Sequence, residues 1–401
     1  MRNSFRLPGI EELNKSQRMA IDANSDGQHL TVGGPGTGKS VIAMIRLRNL
    51  LAKNKDVVFL AYNRTLQEYS RQLCQQYSID NHHIQGYIHW LSDNLKNWFS
   101  EIDWKRVHNN EIKSPDNYDY AYLSQLPRKT ILADETYLII DEGQDMPPEF
   151  YDVLANVGYQ NFFVAADQNQ AITSRNSSRK DIEAALALSP TETIELTQNY
   201  RNTRNIALIA RYFYTNDPAS PAIELPENRK SSYQKPILYH YQNRNNVFKK
   251  ILQKYDQNID RLIGVIVPNN AIREDYINGL QNVSPDELDH PIPKIQTYAS
   301  GKDHDEINWS EGGIVVVNEA SCKGLEFDVV FIADIDAHWV RGKDDERAKM
   351  MKKFYVMSSR AREELYLFRN DRDERNPVIE QILPIDGKDE DGNDIIKEEV
   401  I

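Results

Sequence analysis

One stretch, Gly33–Ser40 with the sequence GGPGTGKS, constrains the fold of this chain more than any other. An apolar run ending at Val32 precedes it, and residues 41–51 after it carry apolar side chains at helical spacing. This order of strand, glycine-rich turn and amphipathic helix is the setting in which the pattern G-x-x-x-x-G-K-[ST] forms a phosphate-binding loop. A chance glycine turn before a helix is the alternative, and this setting disfavours it. The stretch therefore predicts a nucleoside-triphosphate site in an α/β domain.

Four residues of this loop have distinct physical tasks. Gly36 and Gly38 let the backbone curl so that its N–H groups face an anion, and the N-terminus of the following helix adds its dipole. We expect Lys39 to reach the β- and γ-phosphates and the Ser40 hydroxyl to hold Mg²⁺. The predicted cofactors are a nucleoside triphosphate and Mg²⁺.

Length and composition bound the class of protein. The 401 residues favour two or three domains, and 40% hydrophobic with 27% charged residues is ordinary for a globular chain. No apolar run approaches the roughly 18 residues that span a bilayer, and Met1–Arg6 lead into no apolar segment. Cys74 and Cys322 are the only cysteines, which excludes a disulfide framework or a zinc cluster. We therefore expect a cytoplasmic protein with no membrane contact.

The net charge of −12 bears on the partners of the chain. It argues against a protein that coats nucleic acid by bulk electrostatics, but it leaves room for a narrow basic groove. Part of the acidity lies in residues 386–399, which are rich in Asp, Glu and Gly. We expect this segment to be a solvated tail.

Apolar strand-like runs alternate with helical stretches along the chain, and several of these runs lack polar alternation. Such strands are typical of parallel sheets that are covered on both faces. The predicted strands are His29–Val32, Val57–Ala61, Tyr137–Ile140, Phe162–Ala165, Leu262–Val267, Ile314–Val317, Val329–Ala333 and Leu365–Phe368.

Two segments interrupt the alternation. Residues 81–130 carry polar and aromatic residues without a steady period and predict a small, partly helical insertion. A Pro-, Asn- and Ser-rich stretch at 217–235 marks a boundary. We therefore expect a first α/β domain at 1–215, a second at 216–370, and an acidic C-terminal tail at 371–401.

A second nucleotide signal is the stretch YLIIDEGQD at 137–145, an apolar strand that ends in Asp141 and Glu142. Parallel sheets place their ligands at this carboxyl edge. Asp141 suits Mg²⁺, and Glu142 suits the base that orients an attacking water. The alternative is a solvated loop after a strand. The presence of a P-loop in the same chain disfavours this alternative.

A polar cluster, Asp167–Gln170, follows the next predicted strand and would face a γ-phosphate from the side. Further along, Arg201 and Arg360 each lie in a short polar motif. An arginine that faces a γ-phosphate stabilises charge in the transition state. Taken singly, each arginine is more often a surface ion-pair residue.

The order of these segments carries a resemblance to a known family. From about Leu13 to Phe368, the chain resembles superfamily 1 helicases of the UvrD/Rep/PcrA type. The segments similar to the family's Q motif and motifs I, Ia, II, III, IV, V and VI are, in order, Leu13–Gln17, Gly33–Ser40, Leu60–Leu66, Asp141–Asp145, Ala166–Ile172, Asn199–Arg201, Lys323–Asp328 and Tyr355–Ala361.

The resemblance implies two RecA-like P-loop NTPase domains with parallel sheets, ATP and Mg²⁺ at their interface, and a single nucleic-acid strand across both. Gln17 would hydrogen-bond adenine, Tyr200 would stack on it and Glu326 would contact the ribose. Gln170 would sense the γ-phosphate. The implied catalytic residues are Lys39, Glu142, Gln170, Arg201 and Arg360; the nucleotide-binding residues are Gln17, Gly36, Thr37, Gly38, Lys39, Ser40, Tyr200 and Glu326; the Mg²⁺ ligands are Ser40 and Asp141; and the nucleic-acid residues are Tyr62 and Asn63.

The chain departs from the family where the family grips nucleic acid. Val41 stands where an arginine beside adenine is usual, and Thr173–Asn176 stand where the family has Tyr and a stacking Trp. Asn318–Ala320 replace the usual Thr-x-His before motif V. The span between Arg201 and Asn318 is filled by the second domain's own elements, which leaves no room for the large insertion of these helicases.

Two functions of different kinds fit this pattern. The first is a nucleic-acid-dependent ATPase, a translocase or helicase moving 3′ to 5′ on single-stranded or tailed nucleic acid, with DNA favoured. The second is a nucleic-acid-responsive ATPase switch that regulates a partner such as a nuclease, as in antiviral defence. A P-loop kinase or GTPase is disfavoured, because a GTPase-type Asn-Lys-x-Asp base reader is absent from the sequence.

Overall fold

The computed structural model describes residues 6–108, 118–129, 135–170, 176–215, 223–226, 234–284, 288–298, 307–340 and 345–401. These residues form two compact units. The P-loop unit contains Arg6–Thr197, and the C-terminal unit contains Gln198–Thr215 and Ile223–Ile401. Within the described residues, no helix is both long enough and apolar enough to cross a lipid bilayer.

The P-loop unit is built on a six-stranded sheet whose strands are all parallel, in the order β3-β2-β4-β5-β1-β6. Its strands are β1 Gln28–Gly33, β2 Asp56–Ala61, β3 Ile84–Gly86, β4 Thr136–Ile140, β5 Asn161–Ala166 and β6 Ile194–Leu196. Its helices are α1 Lys15–Asp22, α2 Lys39–Ala52, α3 Arg64–Gln75, α4 Tyr87–Trp98, α5 Trp104–Val107, α6 Tyr120–Leu123, α7 Pro148–Val157 and α8 Arg179–Ala185.

The strand order positions the site. Strands β4, β5 and β1 are neighbours at the centre of the sheet. Because the strands are parallel, the residues that follow each strand meet at one edge. This edge therefore brings together Asp141 after β4, Asp167 after β5 and the P-loop after β1.

The C-terminal unit contains a seven-stranded parallel sheet in the order β13-β7-β12-β11-β8-β10-β9. Its strands are β7 Ile237–Tyr241, β8 Leu262–Val267, β9 Ile295–Thr297, β10 Gly313–Asn318, β11 Phe327–Ile332, β12 Ala361–Asn370 and β13 Lys397–Val400. Its helices are α9 Arg204–Tyr212, α10 Arg244–Asp256, α11 Asn270–Gln281, α12 Glu346–Ser358 and α13 Pro377–Ile382.

The predicted fold class is confirmed: the chain is α/β, with two parallel sheets of the RecA-like kind. Each of the eight predicted strands is present, although β12 begins four residues before its predicted start at Leu365. The sequence did not predict β3, β6, β7, β9 and β13, which are three to five residues long. Runs of this length are too short to show a period.

The division between the units falls after Thr197, earlier than the predicted boundary at residue 215. Helix α9 belongs with the C-terminal unit for a physical reason. The segment just before it is tied to the beginning of β12, because the Thr203 N–H donates to the Arg362 carbonyl at 3.0 Å.

The structure corrects the expectation of a solvated tail at 386–399. Strand β13 pairs with β7, and its flanking main chain bonds to the same strand, with Ile401 N–H donating to the His240 carbonyl at 2.9 Å. The buried pair Ile395 and Ile396 anchors this segment. An edge strand needs main-chain hydrogen bonds rather than apolar side chains, so its acidic composition concealed it.

The segment predicted as an insertion at 81–130 contains three helices in its described part, α4, α5 and α6. It is also joined to the sheet, because β3 pairs with β2. Trp90 and Trp98 of α4 are buried in the core of the unit and pack edge to face at 5.3 Å between ring centroids. The aromatic residues of this segment therefore serve the core.

Candidate nucleotide site

The P-loop closes around its own backbone. The Gly34 carbonyl accepts hydrogen bonds from the Thr37 hydroxyl at 2.8 Å and from Lys39 Nζ at 2.9 Å. Gly36 and Gly38 have φ angles of 77° and 91°, in the left-handed region that other residues enter at a cost of roughly 1–2 kcal/mol. Gly38 is the N-cap of α2, so the loop passes directly into the helix N-terminus.

Gln17 lies against this loop, as the resemblance implied. Its side chain forms a capping box with Asn14 at the beginning of α1, and its Nε2 donates to the Thr37 carbonyl at 2.9 Å. A Cβ atom on Gly38 would lie 2.7 Å from the same nitrogen. Glycine at position 38 therefore leaves room for the Gln17 amide against the loop.

Asp141 has the surroundings of a magnesium ligand. It is fully buried, and while its Oδ1 accepts the Glu142 N–H at 3.0 Å, its Oδ2 makes no hydrogen bond. Burial raises the pKa of Asp141, as does the charge of Glu142, while the nearby Ser40 hydroxyl and Lys39 ammonium oppose the shift. A cation beside this carboxylate would relieve the cost of burying it. Magnesium in nucleotide sites takes one or two protein ligands together with phosphates and water, so Ser40 and Asp141 fit it.

Glu142 adopts a strained backbone, with φ 56°. A non-glycine residue in this region costs of order 1–3 kcal/mol and persists only where its surroundings enforce it. Here the next residue, Gly143, is pressed into the core, since a Cβ on it would lie 2.4 Å from Val164 Cγ1. The turn is thus held by close packing behind it.

A chain of polar contacts connects Glu142 to Lys39. Gln144 donates from Nε2 to Glu142 Oε2 at 2.6 Å, and its Oε1 accepts the Asp167 N–H at 2.9 Å. Asp167 Oδ2 accepts from Gln170 Nε2 at 2.6 Å and lies 3.8 Å from Lys39 Nζ. The three strand ends therefore share one polar cluster, in which hydrogen bonds join the ends of β4 and β5 and an ion pair joins β5 to the P-loop.

Gln144 and Asp167 are functional residues whose individual roles the sequence did not predict. The sequence position of each residue did indicate a place near the site. Asp167 directly follows β5, in the polar cluster that was expected to face the phosphate. Gln144 lies two residues after Glu142, and only the left-handed turn at Glu142 brings its side chain back to the carboxylate.

The C-terminal unit holds a second group of predicted residues. Glu326 pairs with Arg201 Nη2 through Oε1 and with Arg362 Nη1 through Oε2, the latter at 2.8 Å. Burial raises the pKa of Glu326, but Arg201 and Arg362 outweigh it and lower that pKa to about 2. Beside this cluster lies a cleft of about 410 Å³ lined by Tyr200, whose side chain is 48% exposed, together with Arg201 and Arg362.

Arg360 is almost fully buried within the C-terminal unit. Its Nε donates to the Val356 carbonyl at 2.9 Å and its Nη2 to the Ser359 hydroxyl at 3.0 Å. A weaker bond from Nη1 reaches the Leu325 carbonyl at 3.4 Å, next to Glu326. The structure therefore groups Arg360 with Arg201, Tyr200 and Glu326 in one unit. The other predicted ATP-site residues lie in the P-loop unit: Gln17, Gly36, Thr37, Gly38, Lys39, Ser40, Asp141, Glu142 and Gln170.

The two predicted nucleic-acid residues have intramolecular partners. Asn63 is the N-cap of α3, where its Oδ1 accepts the Leu66 N–H at 2.7 Å. Tyr62 stacks on Tyr87 with ring centroids 5.7 Å apart and an angle of 13° between the planes. Residues 173–175, where the stacking aromatic is missing from the sequence, lie outside the described residues.

Comparison with known proteins covers part of the chain. Residues 17–176 match AAA_19, a family model described as an AAA domain. None of the curated proteins matches. One similar solved structure is the C-terminal domain of a possible DNA helicase from Lactobacillus plantarum WCFS1. It is 16% identical, with a TM-score of 0.33, and the match covers 50% of this chain and 98% of that one.

The family match spans less than half of the chain, and it contains the P-loop, Asp141 and Glu142. It supports an ATPase-like function in general terms. The likeness to the solved structure is too distant to carry an argument about function.

Proposed function

We propose that this chain hydrolyses ATP in a Mg²⁺-dependent site on the P-loop unit and couples hydrolysis to movement along a nucleic-acid strand. The observation that carries the proposal is the shared cluster at the carboxyl edge of β4, β5 and β1. There the base candidate Glu142 is linked to the P-loop lysine through Gln144 and Asp167, and the buried Asp141 accepts the Glu142 N–H.

The residues of this cluster have separate roles in the proposed reaction. The P-loop amides and Lys39 bind and orient the β- and γ-phosphates, and bound Mg²⁺ would neutralise charge that develops on them. Ser40 and Asp141 would hold that ion. Glu142, oriented by Gln144 at 2.6 Å, would position a water for in-line attack and accept its proton. Gln170, which donates a hydrogen bond to Asp167, would sense the γ-phosphate.

The C-terminal unit would supply the remaining groups. We propose that Arg201 and Arg360 stabilise charge on the γ-phosphate in a closed state, and that Tyr200 stacks on adenine while Gln17 hydrogen-bonds it. The pairing of Glu326 with Arg201 supports a role in positioning this arginine, since a carboxylate restrains a long side chain. By resemblance, movement would run 3′ to 5′, with DNA as the favoured strand.

ATP turnover by the purified chain tests this proposal, measured with no polymer, single-stranded DNA, a 3′-tailed duplex and RNA. We expect hydrolysis that a single strand stimulates and that Glu142→Gln abolishes. Asp152→Asn, a carboxylate on the partly exposed face of α7, is the matched control and should retain turnover. Turnover that none of the polymers stimulates would refute coupling to a strand. Turnover that the Glu142→Gln variant retains would refute the assigned base.

The alternative function, an ATPase switch that regulates a partner such as a nuclease, has one observation in its favour. Asn63 and Tyr62, the residues expected to grip a strand, are engaged in helix capping and ring stacking. A switch would bind and hydrolyse ATP in the same way but would not displace a strand. Unwinding of a 3′-tailed duplex by the isolated chain would exclude it.

A further inference from the structure

Arg46 is a buried arginine in the middle of α2, the helix that begins at the P-loop. Only 4% of it is exposed, and no carboxylate pairs with it in the described part of the chain. Burial lowers the pKa of Arg46 to about 10, so it stays charged at neutral pH. A buried charge is costly unless fixed dipoles compensate it, so its partners are informative.

Those partners are main-chain carbonyls in the last turn of α1 and in the two residues that follow its C-terminal end. Nη1 donates to the carbonyls of Ala20 at 2.9 Å and Ala23 at 2.9 Å, and Nη2 donates to that of Asn24 at 2.9 Å. A third, longer bond from Nη1 reaches the Ile21 carbonyl at 3.2 Å. Ala20 and Ile21 lie in the last turn of α1, whose carbonyls a helix leaves without partners and where its dipole is negative, and Ala23 and Asn24 follow directly.

The guanidinium is also held by an aromatic ring of the sheet. It lies over the ring of Phe163 in β5, with its Cζ 4.7 Å from the ring centroid. A planar fork that both stacks on an aromatic ring and donates in its own plane has one favoured orientation. Arg46 therefore joins α1 to α2 and to the sheet.

At its other end, α1 is joined to the P-loop by Gln17, through the bond from Nε2 to the Thr37 carbonyl. Helix α1 has only eight residues, a length that is marginal without tertiary contacts. Arg46 lies seven residues after Lys39, about two helical turns, and so on the same side of α2. Helix α1 is thus held at both ends, by the bond of Gln17 to the P-loop at one end and by Arg46 of α2 at the other.

We propose that Arg46 is a positioning residue for base recognition: it holds α1 so that Gln17 meets the adenine of a nucleotide whose phosphates lie in the P-loop. This inference rests on the proposed function. A positioning role and a general structural role predict different effects on ligand binding. Loss of Arg46 should weaken the binding of ligands that carry the base. It should leave unchanged the binding of ligands that consist of phosphate alone.

The test compares the affinity of the full-length chain for ATP and for inorganic tripolyphosphate, both with Mg²⁺. In Arg46→Met we expect ATP to bind about tenfold more weakly and tripolyphosphate to bind within about twofold of wild type. Arg48→Met is the matched control, because Arg48 lies on the same helix and contacts the ring of Tyr77 at 5.8 Å rather than α1. It should leave both affinities unchanged.

A double-mutant cycle sharpens the test. If Arg46 acts through Gln17, the double variant with Arg46→Met and Gln17→Ala should bind ATP as well as the single variant Gln17→Ala does. Should Arg46→Met fail to fold, Arg46→Lys keeps the charge without the fork, and it should show a smaller loss confined to ATP. Equal losses for ATP and tripolyphosphate, or additive losses in the cycle, would overturn the inference. A wild-type chain that binds neither ligand would refute the proposed function itself and remove the basis of the inference.

Discussion

Replacing Glu326 by Gln tests the charge cluster of the C-terminal unit. The glutamate is 18% exposed and lies between Arg201 and Arg362, which are 15% and 28% exposed. Glutamine keeps the shape of the side chain but removes the charge that these two guanidinium groups share. The variant therefore leaves two mostly buried cations without their anion.

The lowered pKa of Glu326 sets the magnitude. Burial alone would raise that pKa, but the two arginines lower it from 4.5 to about 2. At 1.36 kcal/mol for each pKa unit, the charged form stabilises the folded unit by about 3 kcal/mol. Because the folded-state pKa is the lower one, this contribution is complete above the unfolded value of 4.5 and is lost as the pH falls through 2. Roughly three fifths of it remains at pH 3.5.

Urea unfolding at pH 7 and pH 3.5, followed by circular dichroism, measures this contribution. We expect Glu326→Gln to lower the free energy of unfolding by about 3 kcal/mol at pH 7 and by clearly less at pH 3.5. Glu363→Gln is the matched control, since Glu363 is 42% exposed and pairs with Arg261 at 2.8 Å. An exposed pair of this kind is worth at most about 1 kcal/mol. Equal stability of Glu326→Gln and wild type at pH 7, or a difference that does not shrink on acidification, would refute this reasoning.

Three other substitutions separate binding, turnover and folding. Glu142→Gln should bind ATP as wild type does and lose turnover, which equilibrium binding and a phosphate-release assay report together; weakened binding would contradict a role limited to the base. Arg360→Ala should slow turnover with little change in ATP affinity, because its contact would form in the closed state, and an unchanged turnover rate would contradict the proposed arginine pair. Asn202→Ala should lower the free energy of unfolding by about 2–3 kcal/mol in urea titrations, since the Asn202 amide donates to the carbonyls of Ser359 and Ala361 from a buried position. A loss below about 0.5 kcal/mol would mean that these bonds contribute little.

Much of the fold was predictable because buried parallel strands are continuous apolar runs. Strand β8, predicted as Leu262–Val267, is found with those bounds, since all six residues are buried and no polar residue blurs its ends. Strand β13 was not predictable from composition. Its side chains all face solvent, and only pairing with β7, far away in the sequence, makes Lys397–Val400 a strand.

The site was predictable where a motif dictates local geometry. Gly36 and Gly38 have the left-handed conformations that a P-loop requires, and Asp141 is buried at the end of its strand. The contacts of Gln144 and Arg46 depend instead on segments that meet only after folding. Nothing in the local sequence of α2 shows that Arg46 donates to the carbonyls at the C-terminal end of α1, because an arginine in a helix is more often exposed.

The central claim is that the P-loop lysine serves ATP hydrolysis, and ATP turnover in two lysine variants at the two ends of α2 tests it most directly. Lys39 is 7% exposed and donates to the Gly34 carbonyl, whereas Lys53 caps the far end of the helix and donates to Ser25 on the surface. We predict that Lys39→Ala abolishes Mg²⁺-dependent turnover and that Lys53→Ala leaves it at the wild-type rate. Wild-type turnover in Lys39→Ala would contradict the account.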